Sequence, residues 1–218
     1  MRRPIILDLF CGAGGCAKGY QRAGFRVVGV DNRPQPHYCG DEFVLADALE
    51  FLYAFCALGY EFDAIHASPP CQGYSKLQAM HPRRQYPMLI EPVRALLIAM
   101  GKPWVIENVE TAPLFGITLC GSMFGLGVAR GYLRRHRLFE CSFPILQPRC
   151  QHRGPAVGVY GHGGHSGKHR MLYRKEAAEA MRIDWMSRDE MCQAIPPTYT
   201  EYIGRWLRNI LVDTTPKP

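Results

Sequence analysis

A cysteine set behind two prolines offers the most reactive side chain in this sequence. Cys71 stands in Ser68-Pro69-Pro70-Cys71-Gln72-Gly73-Tyr74-Ser75, directly after the apolar run from Phe62 to Ala67. That run predicts a buried strand, and the two prolines fix φ twice and remove two backbone donors, so the chain must leave the sheet stiff and extended. Cys71 is then held in place, and the small and polar residues after it turn the thiol toward a cleft. A cysteine can equally be a small buried apolar residue, and that reading stays open. Its place on a loop at a strand end favours the chemical one.

Other chemical groups recur at the same kind of position. Ile5 to Phe10 predicts a strand that turns into Cys11-Gly12-Ala13-Gly14-Gly15 and then into a helix over Cys16 to Ala23. Glycines there let the backbone approach a ligand and present N–H groups at a helix start. A second strand, Phe25 to Val30, ends in Asp31, about twenty residues past the loop, where doubly wound folds hold a ribose. The loop alone could be a mere tight turn; with the acid it points to an adenosine-type ligand.

The alternation continues with a strand from Phe43 to Ala46 ending in Asp47, a helix over Ala48 to Leu58, a helix over Met88 to Met100, and a strand from Trp104 to Ile106 followed by Glu107-Asn108. Asp47 reads either as a ligand contact or as the cap of the next helix. In an open α/β sheet ligands bind at the carboxyl edge, so Asp8, Asp31, Asp47, Cys71 and Glu107 should converge there.

Beyond this the regularity fades. Leu119 to Leu126 is apolar and punctuated by glycine, Arg134-Arg135-His136-Arg137 is a dense cationic run, and Leu138-Phe139-Glu140 reads as an edge strand. The cationic run suits phosphate contact or a solvated face, as do Arg83 and Arg84 in the basic segment from His81 to Tyr86. Cys141 to Arg174 is rich in Gly, His, Pro and Arg. Its Cys141, Cys150, His152, His162, His165 and His169 invite a zinc reading, which the lack of a two-residue cysteine spacing disfavours, so no metal is expected. Short helices follow over Glu176 to Met181 and Ser187 to Cys192, then a closing helix from Glu201 to Leu211 and a frayed tail from Asp213.

Composition sets the frame for these pieces. The chain has 218 residues, enough for one domain with a small appendage, and a formal charge of +7 that suits a polyanionic partner. Its 9 cysteines are odd in number and scattered, which argues against a disulfide framework and for a reducing cytoplasm. No signal peptide and no run of membrane-spanning length is read, so no membrane partner is expected.

Taken in order, these motifs resemble the cytosine-C5 DNA methyltransferase family over nearly the whole chain. Asp8-Leu9-Phe10-Cys11-Gly12-Ala13-Gly14-Gly15 is similar to the donor-binding motif, Pro69-Pro70-Cys71-Gln72 to the catalytic loop, and Glu107-Asn108-Val109 to the motif with the catalytic glutamate. Arg135-His136-Arg137 is similar to a Gln-x-Arg-x-Arg motif, with Leu133 in place of the Gln. Glu176 to Trp185 is similar to the helix that supports the recognition region, and Gln193 to Thr200 to the last motif, which returns to the donor pocket.

The resemblance implies a Rossmann-like S-adenosylmethionine-dependent methyltransferase fold, α/β, with a mostly parallel sheet, helices on both faces and a small irregular recognition region. It implies a catalytic and donor-binding domain over 1–140, a reduced target-recognition region over 141–174, and C-terminal helices over 175–218. Catalysis would fall to Cys71, Glu107, Arg135 and Arg137. Cys71 would add to C6 of a flipped-out cytosine so that C5 can attack a methyl sulfonium. Glu107 would act at N3, and the arginines would lower the thiol pKa, orient the base and hold its phosphates. S-adenosylmethionine would be held by Asp8, Phe10, Cys11, Gly12, Gly14, Gly15, Asp31, Asp47, Pro69 and Thr198, with Phe10 on the adenine, Asp31 on the ribose and Asp47 near the adenine amine.

The recognition region is short for the family, which implies loose sequence preference and a phage origin, and Gln193 replaces the usual Asn, which leaves a modified donor open. Duplex DNA is the expected partner and a monomer the expected state. Two rivals remain: the same chemistry on transfer RNA, and a silent nucleic-acid-binding relative. A dinucleotide oxidoreductase is disfavoured, because the loop lacks the Gly-x-Gly-x-x-Gly order.

Overall fold

The computed structural model describes residues 2–58, 61–75, 84–160, 164–166 and 169–213. Arg83, His162 and the tail beyond residue 213 lie outside the described residues. The first half of the chain alternates as expected: β1 (Ile5–Leu9), α1 (Gly15–Arg22), β2 (Arg26–Asp31), β3 (Glu42–Leu45), α2 (Ala48–Leu58), β4 (Ala64–Ala67), α3 (Ile90–Ala99) and β5 (Trp104–Asn108). β1 and β5 are buried along almost their whole length, Asp8, Glu107 and Asn108 included, because the sheet is covered on both faces.

The period of two along each strand divides the interior. Ile6, Ala64 and Val105 face a core built with Ala17 and Tyr20 of α1, whereas Leu7, Ile65 and Ile106 face one built with Leu52 of α2 and Val93 and Leu97 of α3. One sheet thus carries helices on both sides.

The second half adds β6 (Ile117–Leu119), β7 (Gly127–Val128), β8 (Gly131–Leu133), β9 (Arg137–Cys141), β10 (Ala156–Gly158), β11 (Gly164–Ser166) and β12 (His169–Met171), then α4 (Arg174–Met181), α5 (Arg188–Gln193) and α6 (Pro197–Asp213). The main sheet runs β3-β2-β1-β4-β5-β9-β6, and a smaller one runs β11-β12-β10-β8-β7. One expectation is corrected here. The strand over Leu138 to Glu140 is not at an edge: β9 is antiparallel to both β5 and β6 and lies between them. β8 pairs with β10, so the small sheet draws on residues from both sides of residue 140.

α6 begins at Pro197, earlier than the helix expected from Glu201, since proline suits a first turn. It lies tight against α1. A Cβ on Gly19 would stand 2.0 Å from Thr200 Oγ1, and one on Gly204 would stand 2.6 Å from Ala23 Cβ. The Thr200 hydroxyl donates to the Cys16 carbonyl across that crossing (2.9 Å). The C-terminal helix is thereby fastened behind the glycine loop.

Candidate active site

The cysteine loop is built from the end of β4 outward. His66 is fully buried there, sharing hydrogen bonds with the Tyr20 hydroxyl through Nδ1 (2.9 Å) and with Ser68 Oγ through Nε2 (3.0 Å). Burial holds its imidazole at about 3, so it is neutral. Past Ser68, the Pro69 carbonyl accepts from Asn108 Nδ2 (2.9 Å), which ties the loop to the end of β5. Cys71 then opens a single 3-10 turn over Gln72–Tyr74 and is half-buried. Burial and the Glu107 carboxylate push its thiol above the ordinary value, while Arg137 and Arg135 pull the other way. The two guanidiniums favour the thiolate, and burial with Glu107 outweighs them.

Glu107 is buried one residue before Asn108. The antiparallel register sets Glu107 opposite Phe139 and Asn108 opposite Leu138, so the start of β9 reaches the carboxyl end of β5. Arg137 Nε lies 3.3 Å from Glu107 Oε1 as a result. Burial raises the Glu107 pKa, and Arg137, Ser68 and Arg135 offset this only in part. Such a carboxyl keeps its proton to a higher pH than an exposed one and can present it to a ring nitrogen.

Arg135 is fully buried and its guanidinium is committed to the backbone, donating to the carbonyls of Val159 (3.1 Å) and Cys192 (2.7 Å). It also stands over the Tyr160 ring at 5.3 Å. Burial, with the like charge of Arg137, pulls its pKa down to about 10. A guanidinium so enclosed does not face solvent phosphate, which corrects that part of the expectation for Arg135. It fastens the small sheet to the end of α5.

The glycine loop follows the end of β1 on the same edge of the sheet. Phe10 has φ 59, Gly12 φ 49 and Gly14 φ 85, an unusual run of left-handed residues that only glycine adopts freely. Asp31 accepts from the Gly12 N–H through Oδ2 and from the Arg33 N–H through Oδ1, both at 3.0 Å. Asp47 is exposed and caps α2, its Oδ1 accepting from Leu49 N–H (2.9 Å) and Glu50 N–H (3.1 Å), so the capping reading holds and Oδ2 is left for a ligand. Cys11 is buried, and its N–H donates to the Val30 carbonyl (3.1 Å).

Asp8 and Thr198 are among the buried groups left without a hydrogen-bond partner. Asp8 is completely buried, and neither carboxylate oxygen completes a hydrogen bond; the Ala17 N–H eases its charge only in part. Burial, then the charge of Asp31, pushes its pKa up to about 8. Thr198 Oγ1 at the start of α6 is likewise buried without a partner. Unsatisfied buried polar atoms beside a left-handed glycine turn fit a polar ligand that supplies the missing partners.

Sequence reasoning missed several residues here. Ile195 presses its carbonyl to within 2.5 Å of where a Cβ on Gly15 would lie, and Trp185 Nε1 donates to the Ala13 carbonyl (2.9 Å). Tyr38 lies against Gly14, Gly29 and Gly40 with its hydroxyl buried and unpaired. Asn108 was legible from its place after Glu107. Tyr38, in the irregular segment after Asp31, carried no local signal.

The strand order, the glycine turn and the acid that ends β2 define a Rossmann-like S-adenosylmethionine-dependent methyltransferase fold. Residues 5–112 match the family described as C-5 cytosine-specific DNA methylase. The Type II methyltransferase M.HgiGI of Herpetosiphon aurantiacus is 32% identical over 118 residues, which cover 50% of this chain and 92% of that protein. M1.HphI of Haemophilus parahaemolyticus is 33% identical over 120 residues, covering 47% of this chain and 32% of that protein. The chain thus spans about a third of the length of M1.HphI. Among solved structures, the S. pombe Dnmt2 methyltransferase superposes with a TM-score of 0.62 at 13% identity, over 96% of this chain and 99% of that one. The chain belongs to the C-5 cytosine-specific DNA methylase family, whose methyl donor is S-adenosylmethionine.

Proposed function

We propose that this protein methylates C5 of cytosine in DNA through a covalent adduct between Cys71 Sγ and C6 of a base turned out of the duplex. The observation that carries this reading is the hydrogen bond from Asn108 to the Pro69 carbonyl, which holds the nucleophile's loop against the strand that bears Glu107.

The donor, when bound, supplies an electrophilic methyl group on a sulfonium. Asp8, the Gly12 to Gly15 turn, Asp31 and Thr198 would hold it, with Asp47 Oδ2 free for an amine. Cys71 loses its proton and adds as thiolate to C6, and the electron pair of the C5–C6 bond becomes available at C5. Glu107, whose pKa burial raises, hydrogen-bonds N3 and relieves the charge pushed into the ring. C5 would take the methyl group as the S–CH3 bond breaks and its electron pair stays on a neutral thioether; C5 then gives its proton to water, and the Cys71–C6 bond breaks to return the thiolate. Arg137 holds the Glu107 carboxyl in position through its contact at 3.3 Å.

A base stacked in a duplex cannot present C6 to a thiol, so extrusion is part of the proposal. The small sheet and the +7 net charge support a nucleic-acid partner. The test is trapping on duplex DNA containing 5-fluorocytosine with S-adenosylmethionine. The wild-type chain should form a denaturation-resistant adduct and Cys71→Ser none; an adduct with the Cys71→Ser chain would sink the assignment. Running duplex DNA, single-stranded DNA and transfer RNA in parallel identifies the substrate.

A further inference from the structure

Four side chains from separate stretches of the chain come together where no sequence spacing announced it. Cys120 follows β6, His136 sits between Arg135 and Arg137, and Cys150 and His152 lie on the irregular stretch before β10. Their ligand atoms all fall within 4.8 Å of one another. We propose that Cys120, His136, Cys150 and His152 bind a single zinc ion in a closed tetrahedral structural site.

The distances are those of a tetrahedron. With Zn–S near 2.3 Å and Zn–N near 2.05 Å, sulfur and nitrogen ligands should lie about 3.6 Å apart. Cys120 Sγ is 3.6 Å from His152 Nε2, and His136 Nε2 is 3.4 Å from Cys150 Sγ. Cys150 Sγ and His152 Nε2 stand closer, at 2.7 Å, and both are exposed, so the loop has room to part by the ångström or less that an ion requires.

The surroundings are those of a built metal site. His136 Nδ1 lies 3.2 Å from the Glu110 carboxylate, which leaves Nε2 directed at the cysteines, the usual carboxylate–histidine–metal arrangement. The His152 ring stacks on Tyr132 at 5.1 Å and 13°, which fixes its plane. Ser122 Oγ stands 3.5 Å from Cys120 Sγ and 3.3 Å from Cys150 Sγ, placed to hydrogen-bond thiolates.

Two thiolates and two imidazoles select zinc over magnesium or calcium, and four protein ligands leave no open position for chemistry. The ion's work is mechanical. It ties the end of β6, the arginine run and the coil before β10 into one unit, and so sets the start of β9 and the approach of Arg137 to Glu107. Of the residues that invited a zinc reading in the sequence, Cys150 and His152 belong to this cluster, and Cys120 and His136 join them from outside the 141–174 segment.

The test reads metal directly and does not depend on methyl transfer. The full chain, purified under reducing conditions from zinc-supplemented cells, should carry one zinc by elemental mass spectrometry. The doubly substituted Cys150→Ala, His152→Ala chain should lose it, and chelation should lower the wild-type Tm. Cobalt added to the chelated wild-type protein should give thiolate charge-transfer bands and the intense visible bands of tetrahedral cobalt, so the outcome stands even if the variant folds poorly. A wild-type chain that takes up neither metal overturns the proposal. So does zinc retained in the double variant, or a mass 2 Da low from a Cys120–Cys150 disulfide in the reducing preparation.

Discussion

Arg137 Nε stands 3.3 Å from Glu107 Oε1, with both side chains almost wholly removed from solvent. A buried pair of this kind is costly to break, because the partner left behind has neither water nor a counter-charge. Arg137→Ala should therefore lower stability by about 3 kcal/mol and methyl transfer by at least about a hundredfold. Thermal melting and single-turnover kinetics would measure the two effects. Unchanged values in both would show that Glu107 is held by something else.

Cys71 is pushed toward its protonated form by burial and by Glu107, and toward thiolate by Arg137. Removing a neighbouring anion lowers a thiol pKa, and removing a neighbouring cation raises it. Iodoacetamide should thus alkylate Cys71 faster at pH 7 in Glu107→Gln than in the wild type, and more slowly in Arg137→Gln. The wild-type rate should keep climbing with pH past the ordinary thiol range. A drop in the alkylation rate for Glu107→Gln would place its carboxylate too far from the sulfur to matter.

Asp8 couples stability to pH with an unusual sign. Its carboxyl titrates at about 8 in the folded chain against 3.8 as a free side chain, so the native state binds a proton that the unfolded state has lost between those values. Stability contributed by this group is complete below about pH 4 and falls as pH rises toward 8, by at most about 1.4 kcal/mol per unit. Asp8→Asn keeps the shape without the charge. Its Tm should exceed the wild-type Tm at pH 8 and approach it at pH 5; an equal advantage at both would argue against titration. S-adenosylmethionine binding should weaken in the same variant.

The α1 and α6 crossing leaves no room for a methyl group at Gly19, whose Cβ would sit 2.0 Å from Thr200 Oγ1 and 2.1 Å from the Pro197 carbonyl. Gly19→Ala should cost about 1–3 kcal/mol through overpacking, despite alanine's better helix propensity. It should also weaken donor binding, since Thr198 rides on the displaced helix. A chemical-denaturation midpoint at or above the wild-type value would contradict this.

Much of the site was written locally. The strand, glycine turn and helix at residues 5–22, the acid at Asp31, and the Pro-Pro-Cys loop each depend on a few neighbouring residues, and their order along the chain resembled one family. Composition and periodicity could therefore anticipate a parallel α/β sheet with its polar groups on one edge. What stayed hidden were reversals and distant pairings. Nothing near Leu138 says that β9 turns antiparallel and enters the sheet between β5 and β6.

The sequence by itself determined the alternating strands and helices of the first half and the turn chemistry at their ends, because propensity, turn chemistry and alternating burial act over short stretches. Only the tertiary structure decided that Arg137 meets Glu107, that Arg135 turns inward, and that Cys120, His136, Cys150 and His152 surround one point. Those meetings join residues from different strands and loops, and local preference carries no information about which distant partner the packing of two sheets will supply.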